Sequence, residues 1–187
     1  MALALLALAL LPRPGDPAAE SDWPQWRGAR GDGLSHGVAW SSSGKPAWSA
    51  QIGLGYSAPS VGGGCVVAYG HDAGRSLDVL CCLEEASGRE LWRAEAPGEL
   101  RANQHEGGTL STPAIDGEHV FACSSSGLVS AHRLADGELL WRVDLVERHG
   151  VDPEYYGFAA SPVVLDGRLL LAAGRFLALD PGTGETL

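Results

Sequence analysis

A repeat of nearly fifty residues is the feature that most limits what this chain can fold into. The segments "CCLEEASGRELW" (Cys81 to Trp92), "SAHRLADGELLW" (Ser130 to Trp141) and "LALDPGTGETL" (Leu177 to Leu187) fall into register. Gly88, Gly137 and Gly184 coincide at spacings of 49 and 47 residues, Leu91, Leu140 and Leu187 coincide, and Trp92 matches Trp141. A second shared element lies upstream of each: "SAPSVGGGCVVAYG" from Ser57, "STPAIDGEHVFACS" from Ser111 and "ASPVVLDGRLLLAAG" from Ala160. Each holds a proline, a short apolar run, a glycine turn and another apolar run. Asp116-Gly117 and Asp166-Gly167 are hairpin dipeptides, because such turns need positive φ, which Gly and Asp adopt at little cost. Pro59, Pro113 and Pro162 are expected at strand starts, where a missing N–H does least harm.

Each unit therefore reads as four short antiparallel strands. In the second unit these are expected near 111–115, 119–124, 128–133 and 138–144. The steps Ser87-Gly88, Asp136-Gly137 and Thr183-Gly184 turn the third strand into the fourth. One such sheet cannot bury both faces alone, so neighbouring units must stack on it. Length and strand number are those of a propeller blade, and propellers use about four to eight blades. The expected fold class is all-β: a β-propeller of four-stranded antiparallel blades, present as an incomplete ring of about three blades, near 54–97, 108–146 and 158–187, plus a leading strand. The third repeat breaks off in mid-strand, which reads as truncation, with a tryptophan expected just beyond Leu187 in a longer form. Open sheet edges on the terminal blades predict poor solubility.

Composition agrees with a turn-rich β-protein. The 187 residues are 45% apolar and include 26 glycines and 11 prolines, too many for a helical bundle. A net charge of -10 repels phosphate backbones and argues against nucleic-acid binding. Ala2 to Leu11 form an apolar run too short to span a bilayer. With the small residues Ala18 and Ala19 after it, the run fits a signal peptide or leader over 1–21, although no Lys or Arg precedes it. The expected location is extracytoplasmic, periplasmic or secreted, with no transmembrane span. The first cysteine, Cys65, lies too far in for a lipid anchor. Four cysteines, Cys65, Cys81, Cys82 and Cys123, leave their disulfide state open. The histidines lack ligand spacing, so no metal site is expected. "HEGG" at His105 lacks the second histidine of a zinc-protease motif, and no nucleophile elbow is present.

The turn motif resembles the tryptophan-docking motif of the pyrroloquinoline quinone (PQQ)-like β-propellers. It stands as Ala178, Asp180, Thr183 and Gly184, as Cys82, Glu84, Ser87, Gly88 and Trp92, and as Ala131, Arg133, Asp136, Gly137 and Trp141. "DWPQWRGARGDGLS" from Asp22 is similar to the leader of exported members of that family. Trp48 lies 44 residues before Trp92 and is expected as the docking tryptophan of an incomplete blade. The structural motif residues are thus Trp48, Gly88, Trp92, Gly137, Trp141, Thr183 and Gly184. The domain is taken as 22–187. The resemblance implies a non-catalytic scaffold that binds other proteins or envelope components, with no cofactor and no catalytic residue. Long loops over 94–110 and 143–160 would carry function. Tyr155, Tyr156 and Phe158 there either form a binding patch or pack between blades, and packing is expected. The alternative is a fragment of a PQQ-dependent alcohol or sugar dehydrogenase. It would need calcium and quinone ligands, for which Asp72, Asp78, Asn103 and Glu106 are the candidates, and adjacent cysteines such as Cys81 and Cys82 can form a strained ring there. The repeat instead places Cys82 with Ala131 and Ala178, and the two thiols on opposite faces of an ordinary third strand.

Overall fold

Three antiparallel sheets follow one another along the chain. The computed structural model describes residues 22–35, 44–101, 106–153 and 155–187; the expected leader at 1–21, Trp40, Asn103 and His105 lie outside them. The first sheet is β1 (Ser60–Gly62), β2 (Cys65–Asp72), β3 (Leu77–Glu84) and β4 (Glu90–Pro97), in that spatial order. The second is β5 (Ala114–Asp116), β6 (His119–Cys123), β7 (Leu128–Arg133) and β8 (Leu139–Asp144). The third holds β9 (Val163–Leu165), β10 (Arg168–Ala172) and β11 (Phe176–Leu179). A bridge from Leu179 to Thr186 and a bond from Leu187 N–H to the Ala178 carbonyl (2.9 Å) begin a fourth line of pairing.

Short turns impose this meander. Gly63-Gly64 and Asp166-Gly167 both hold positive φ at the two central residues, the geometry whose twist matches antiparallel strands. Each proline of the second shared element stands one residue before its strand rather than within it. A five-residue helix, α1 (Leu145–His149), follows β8. Asp144 caps it by accepting from Glu147 N–H at 3.0 Å, and Gly150 ends it at φ 60°.

The core lies between the sheets, not within any one of them. Val67, Leu80, Cys82 and Trp92 from the first sheet meet Val120 and Ala122 from the second. Phe121, Cys123 and Val129 of the second meet Leu169, Leu177 and Leu179 of the third. The other face of the first sheet, with Val66, Val79, Cys81 and Leu83, is covered by Trp48 and Ile52. The three first strands, β1, β5 and β9, neighbour one another, so the sheets fan out from a common edge. This is an incomplete β-propeller, and the described sheets do not close a ring.

The leading segment differs from expectation. Residues 44–50 form no strand. β1 is only three residues long and pairs with just Cys65 to Val67 of the eight-residue β2, and the chain uses the rest of that edge further on, where Leu54 pairs with His71. Trp23 pairs with Val61 through two 2.9 Å bonds, and the Pro24 carbonyl accepts from Ile115 N–H at 2.7 Å. Residues 22–24 therefore tie the first two sheets together at their common edge.

Candidate functional site

The turn from third to fourth strand has the same geometry in all three units. Gly88, Gly137 and Gly184 donate N–H to the carbonyl four residues back, each at 2.8 Å. Ser87 Oγ, Asp136 Oδ1 and Thr183 Oγ1 accept from the backbone N–H two residues on, at 3.2, 3.0 and 3.3 Å. This is why the step before glycine carries a short oxygen-bearing side chain. The glycine itself leaves a flat floor at positive φ, and an indole from the preceding unit lies on it. A Cβ on Gly88 would come within 2.5 Å of Trp48, one on Gly137 within 2.7 Å of Trp92, and one on Gly184 within 2.6 Å of Trp141. Each indole N–H then donates to the carbonyl three residues before that glycine: Trp48 to Glu85 at 2.8 Å, Trp92 to Leu134 at 2.7 Å and Trp141 to Pro181 at 2.8 Å. Trp48 makes this contact without belonging to a strand.

A second series of contacts runs along the common edge. Ala58 N–H donates to Thr112 Oγ1 at 3.2 Å, and Thr112 N–H donates to Ser161 Oγ at 2.9 Å. These are equivalent positions of the three units. Ser60 Oγ adds a buried bond to the Pro113 carbonyl at 2.6 Å.

Cys81 and Cys82 are both fully buried and lie on opposite faces of β3, Cys82 toward the second sheet and Cys81 beneath Trp48. All four cysteines are buried free thiols. Burial pushes the Cys81 thiol up to about 11 and the Cys123 thiol up to about 12. They are inert apolar fillers, not nucleophiles.

Polar chemistry concentrates where the first and second sheets meet. His71 Nδ1 lies 2.8 Å from Asp78 Oδ1, with both side chains almost wholly buried, and His71 Nε2 has no hydrogen-bond partner among the described residues. Tyr69 donates its hydroxyl to Asp78 Oδ2 at 3.4 Å. Burial raises the Asp78 carboxyl above the usual carboxylate range, against the opposing pull of His71. Burial, and then the Asp78 charge, push the Tyr69 phenol well above its ordinary value. Across from them stand Ser130 and His132. The imidazole lies between the Gly137 carbonyl and Ser130 Oγ, each at 3.1 Å, and stacks on Trp92.

Of the candidate calcium ligands, the described ones, Asp72, Asp78 and Glu106, do not converge. Asp78 is held by His71 and Tyr69, whereas Asp72 accepts from Gly74 and Arg75 N–H in a turn, and Glu106 is exposed. Among the described residues no group of three His, Cys, Asp or Glu side chains could share a metal. Of the loop aromatics, Phe158 is buried against Gly127, but Tyr155 and Tyr156 are exposed in an edge-on pair 5.0 Å apart. The expectation that they pack between blades holds for Phe158 alone, because only it follows the turn at Gly157 into the interface.

A family model described as outer membrane protein assembly factor BamB matches residues 35–187. The chain belongs to this family. Its membership agrees with the PQQ-like propeller repeat read from the turn motifs. No curated protein matches the sequence. Among solved structures, BamB from Moraxella catarrhalis is similar at 23% identity and TM-score 0.52, over 73% of this chain and 36% of that one. Quinohemoprotein alcohol dehydrogenase from Comamonas testosteroni is similar at 17% identity and TM-score 0.64, over 91% of this chain and 27% of that one. A europium-containing methanol dehydrogenase is similar at 18% identity and TM-score 0.59, over 76% of this chain and 26% of that one. At these identities the likeness is one of fold. The BamB-family chain spans just over a third, or less, of each of these structures. Among its described residues no helix is long and apolar enough to cross a membrane.

Proposed function

We propose that this BamB-family chain is a non-catalytic scaffold outside the cytoplasm that binds other proteins of the envelope. Residues 1–21 serve as the leader and 22–187 as a single propeller domain. Trp48, Gly88, Trp92, Gly137, Trp141, Thr183 and Gly184 act as its docking contacts. The observation that carries this reading is the family match over 35–187. The exposed Tyr155–Tyr156 pair supports it: two rigid aromatic rings, 65% and 44% exposed, on a loop held at one end by the buried Phe158. Such rings offer large contact area at low entropic cost. The dehydrogenase alternative draws on the same fold but lacks converging ligands among the described residues.

The test is a photo-crosslinking residue at Tyr155 or Tyr156 of the full-length protein in its native envelope, with Arg168 as a remote control position. A discrete crosslinked protein at the tyrosines and none at Arg168 is expected. Absence of crosslinks at both tyrosines, or alcohol-dependent dye reduction after loading with quinone and calcium, overturns the reading.

A further inference from the structure

The two interfaces between sheets are built from equivalent positions, yet they are filled differently. At the second interface these positions are apolar. Cys123 and Val129 face Leu177 and Leu179 in one closed cluster, and Phe158 packs against Gly127. At the first interface the repeat places Tyr69 where the second unit has Cys123, and Asp78 where it has Gly127. Opposite them, Ser130 and His132 stand where the third unit has Leu177 and Leu179. Four apolar or small positions have thus become polar together, on both walls of one interface. The result is a cleft of about 260 Å3, lined by these four side chains and by Leu80, Leu128, Leu139 and Arg142.

The charges at this cleft are unequally committed. Glu95 is held by both guanidinium nitrogens of Arg75, at 2.7 and 2.6 Å, and Arg93 is held by Glu90 at 2.7 Å. Asp78 is occupied by His71 and Tyr69. Arg142 has no ion-pair partner among the described residues and lies on the β8 edge of the cleft. Among the described residues an occupant therefore meets one cation without an ion-pair partner at the rim, an apolar middle, and hydroxyl and carboxyl groups inside.

We propose that this cleft binds a small hydroxylated carboxylate, with its carboxylate on Arg142, its apolar body against Leu80, Leu128 and Leu139, and its hydroxyl toward Tyr69 and Asp78. The volume suits a molecule of roughly ten heavy atoms, below the size of drug-like ligands. Ser130 is the opening residue, since a leucine there would fill the space as Leu177 does at the next interface.

4-Hydroxybenzoate is the probe, titrated into the full chain while the Trp92 indole N–H resonance is followed, because that ring stacks on His132 at the cleft. Saturable binding below about 10 mM is expected. Arg142→Gln should weaken it about tenfold or more, as should replacing the probe with uncharged 4-hydroxybenzyl alcohol. Ser130→Leu should abolish it while leaving the dispersion of the other indole resonances unchanged. Arg148→Gln, away from the cleft, should leave it unaltered. No saturable shift in the parent protein overturns the proposal, as does binding that survives both Arg142→Gln and Ser130→Leu.

Discussion

Gly137→Ala tests whether indole docking holds the sheets together, and Gly117→Ala supplies its control. Both glycines have positive φ, 76° and 57°, so alanine at either carries the left-handed penalty of about 1–2 kcal/mol. At Gly117 a Cβ meets nothing within 4 Å, whereas at Gly137 it lies 2.7 Å from Trp92 Cδ2 and Cε3. Carbon atoms rest at roughly 3.5–4.0 Å, so the ring must retreat by about 1 Å. That retreat strains the 2.7 Å bond from Trp92 to the Leu134 carbonyl, which contributes about 1 kcal/mol. Overpacking the site adds about 1–3 kcal/mol. The excess of Gly137→Ala over Gly117→Ala should thus be about 2–4 kcal/mol. In urea, with a slope of about 2 kcal/mol/M, the midpoint should fall about 1–2 M further than in the control. Equilibrium unfolding followed by tryptophan fluorescence reads this directly. Equal midpoint shifts in the two variants would refute the docking argument, because they share everything except the indole.

Trp141→Phe keeps an aromatic ring over Gly184 but removes the donor to the Pro181 carbonyl; a loss of about 1 kcal/mol is expected by the same measurement. Thr112→Val should cost about 1–2 kcal/mol, because Ala58 N–H loses its acceptor in a part-buried place, and slower amide exchange at Ala58 in the variant would count against this. His132 is held below its ordinary 6.5, first by burial and then by the Arg142 charge, against the bond to the Gly137 carbonyl. The unfolded chain therefore takes up a proton that the folded one resists. His132 contributes stability that is full above pH 6.5 and is lost as the pH falls from there through the lower folded value. His132→Gln should flatten that acid limb in thermal melts recorded across the range. The four thiols should react with an aromatic disulfide reagent only after denaturation, and rapid native labelling of Cys81 or Cys82 would contradict their burial.

The strand ladder was legible because its signals are local and occur three times: a hairpin glycine, a short capping oxygen, and a tryptophan spaced to the next glycine. That each indole lies on the glycine turn of the following unit was not readable there and comes from the contacts. What else resisted sequence reading depends on departures from the repeat. Trp23 reaches Val61 across the common edge, and nothing in "DWPQW" names its partner. Tyr155 and Tyr156 share composition with Phe158, yet only the residue after the Gly157 turn enters the core. The Tyr69, His71 and Asp78 cluster did leave a trace. Polar side chains stand there on the strand face that otherwise carries Val67 and Leu80, and a hairpin through Asp72 to Leu77 brings His71 opposite Asp78. Comparing the three repeats for where they differ, rather than where they agree, would have pointed to that interface.

The bonds from Ala58 to Thr112 and from Thr112 to Ser161 all run in one direction, as do the three indole contacts. The second unit is a socket on one side and a plug on the other, and the two roles are never exchanged. A second unit duplicated at matching residues would bring a hydroxyl to accept and an indole to donate, whereas the first unit carries Ala58 there and could not take a later place. Two seams of the same make can then diverge in what they enclose, one sealed with leucine and the other left hollow and polar, without altering how the units join.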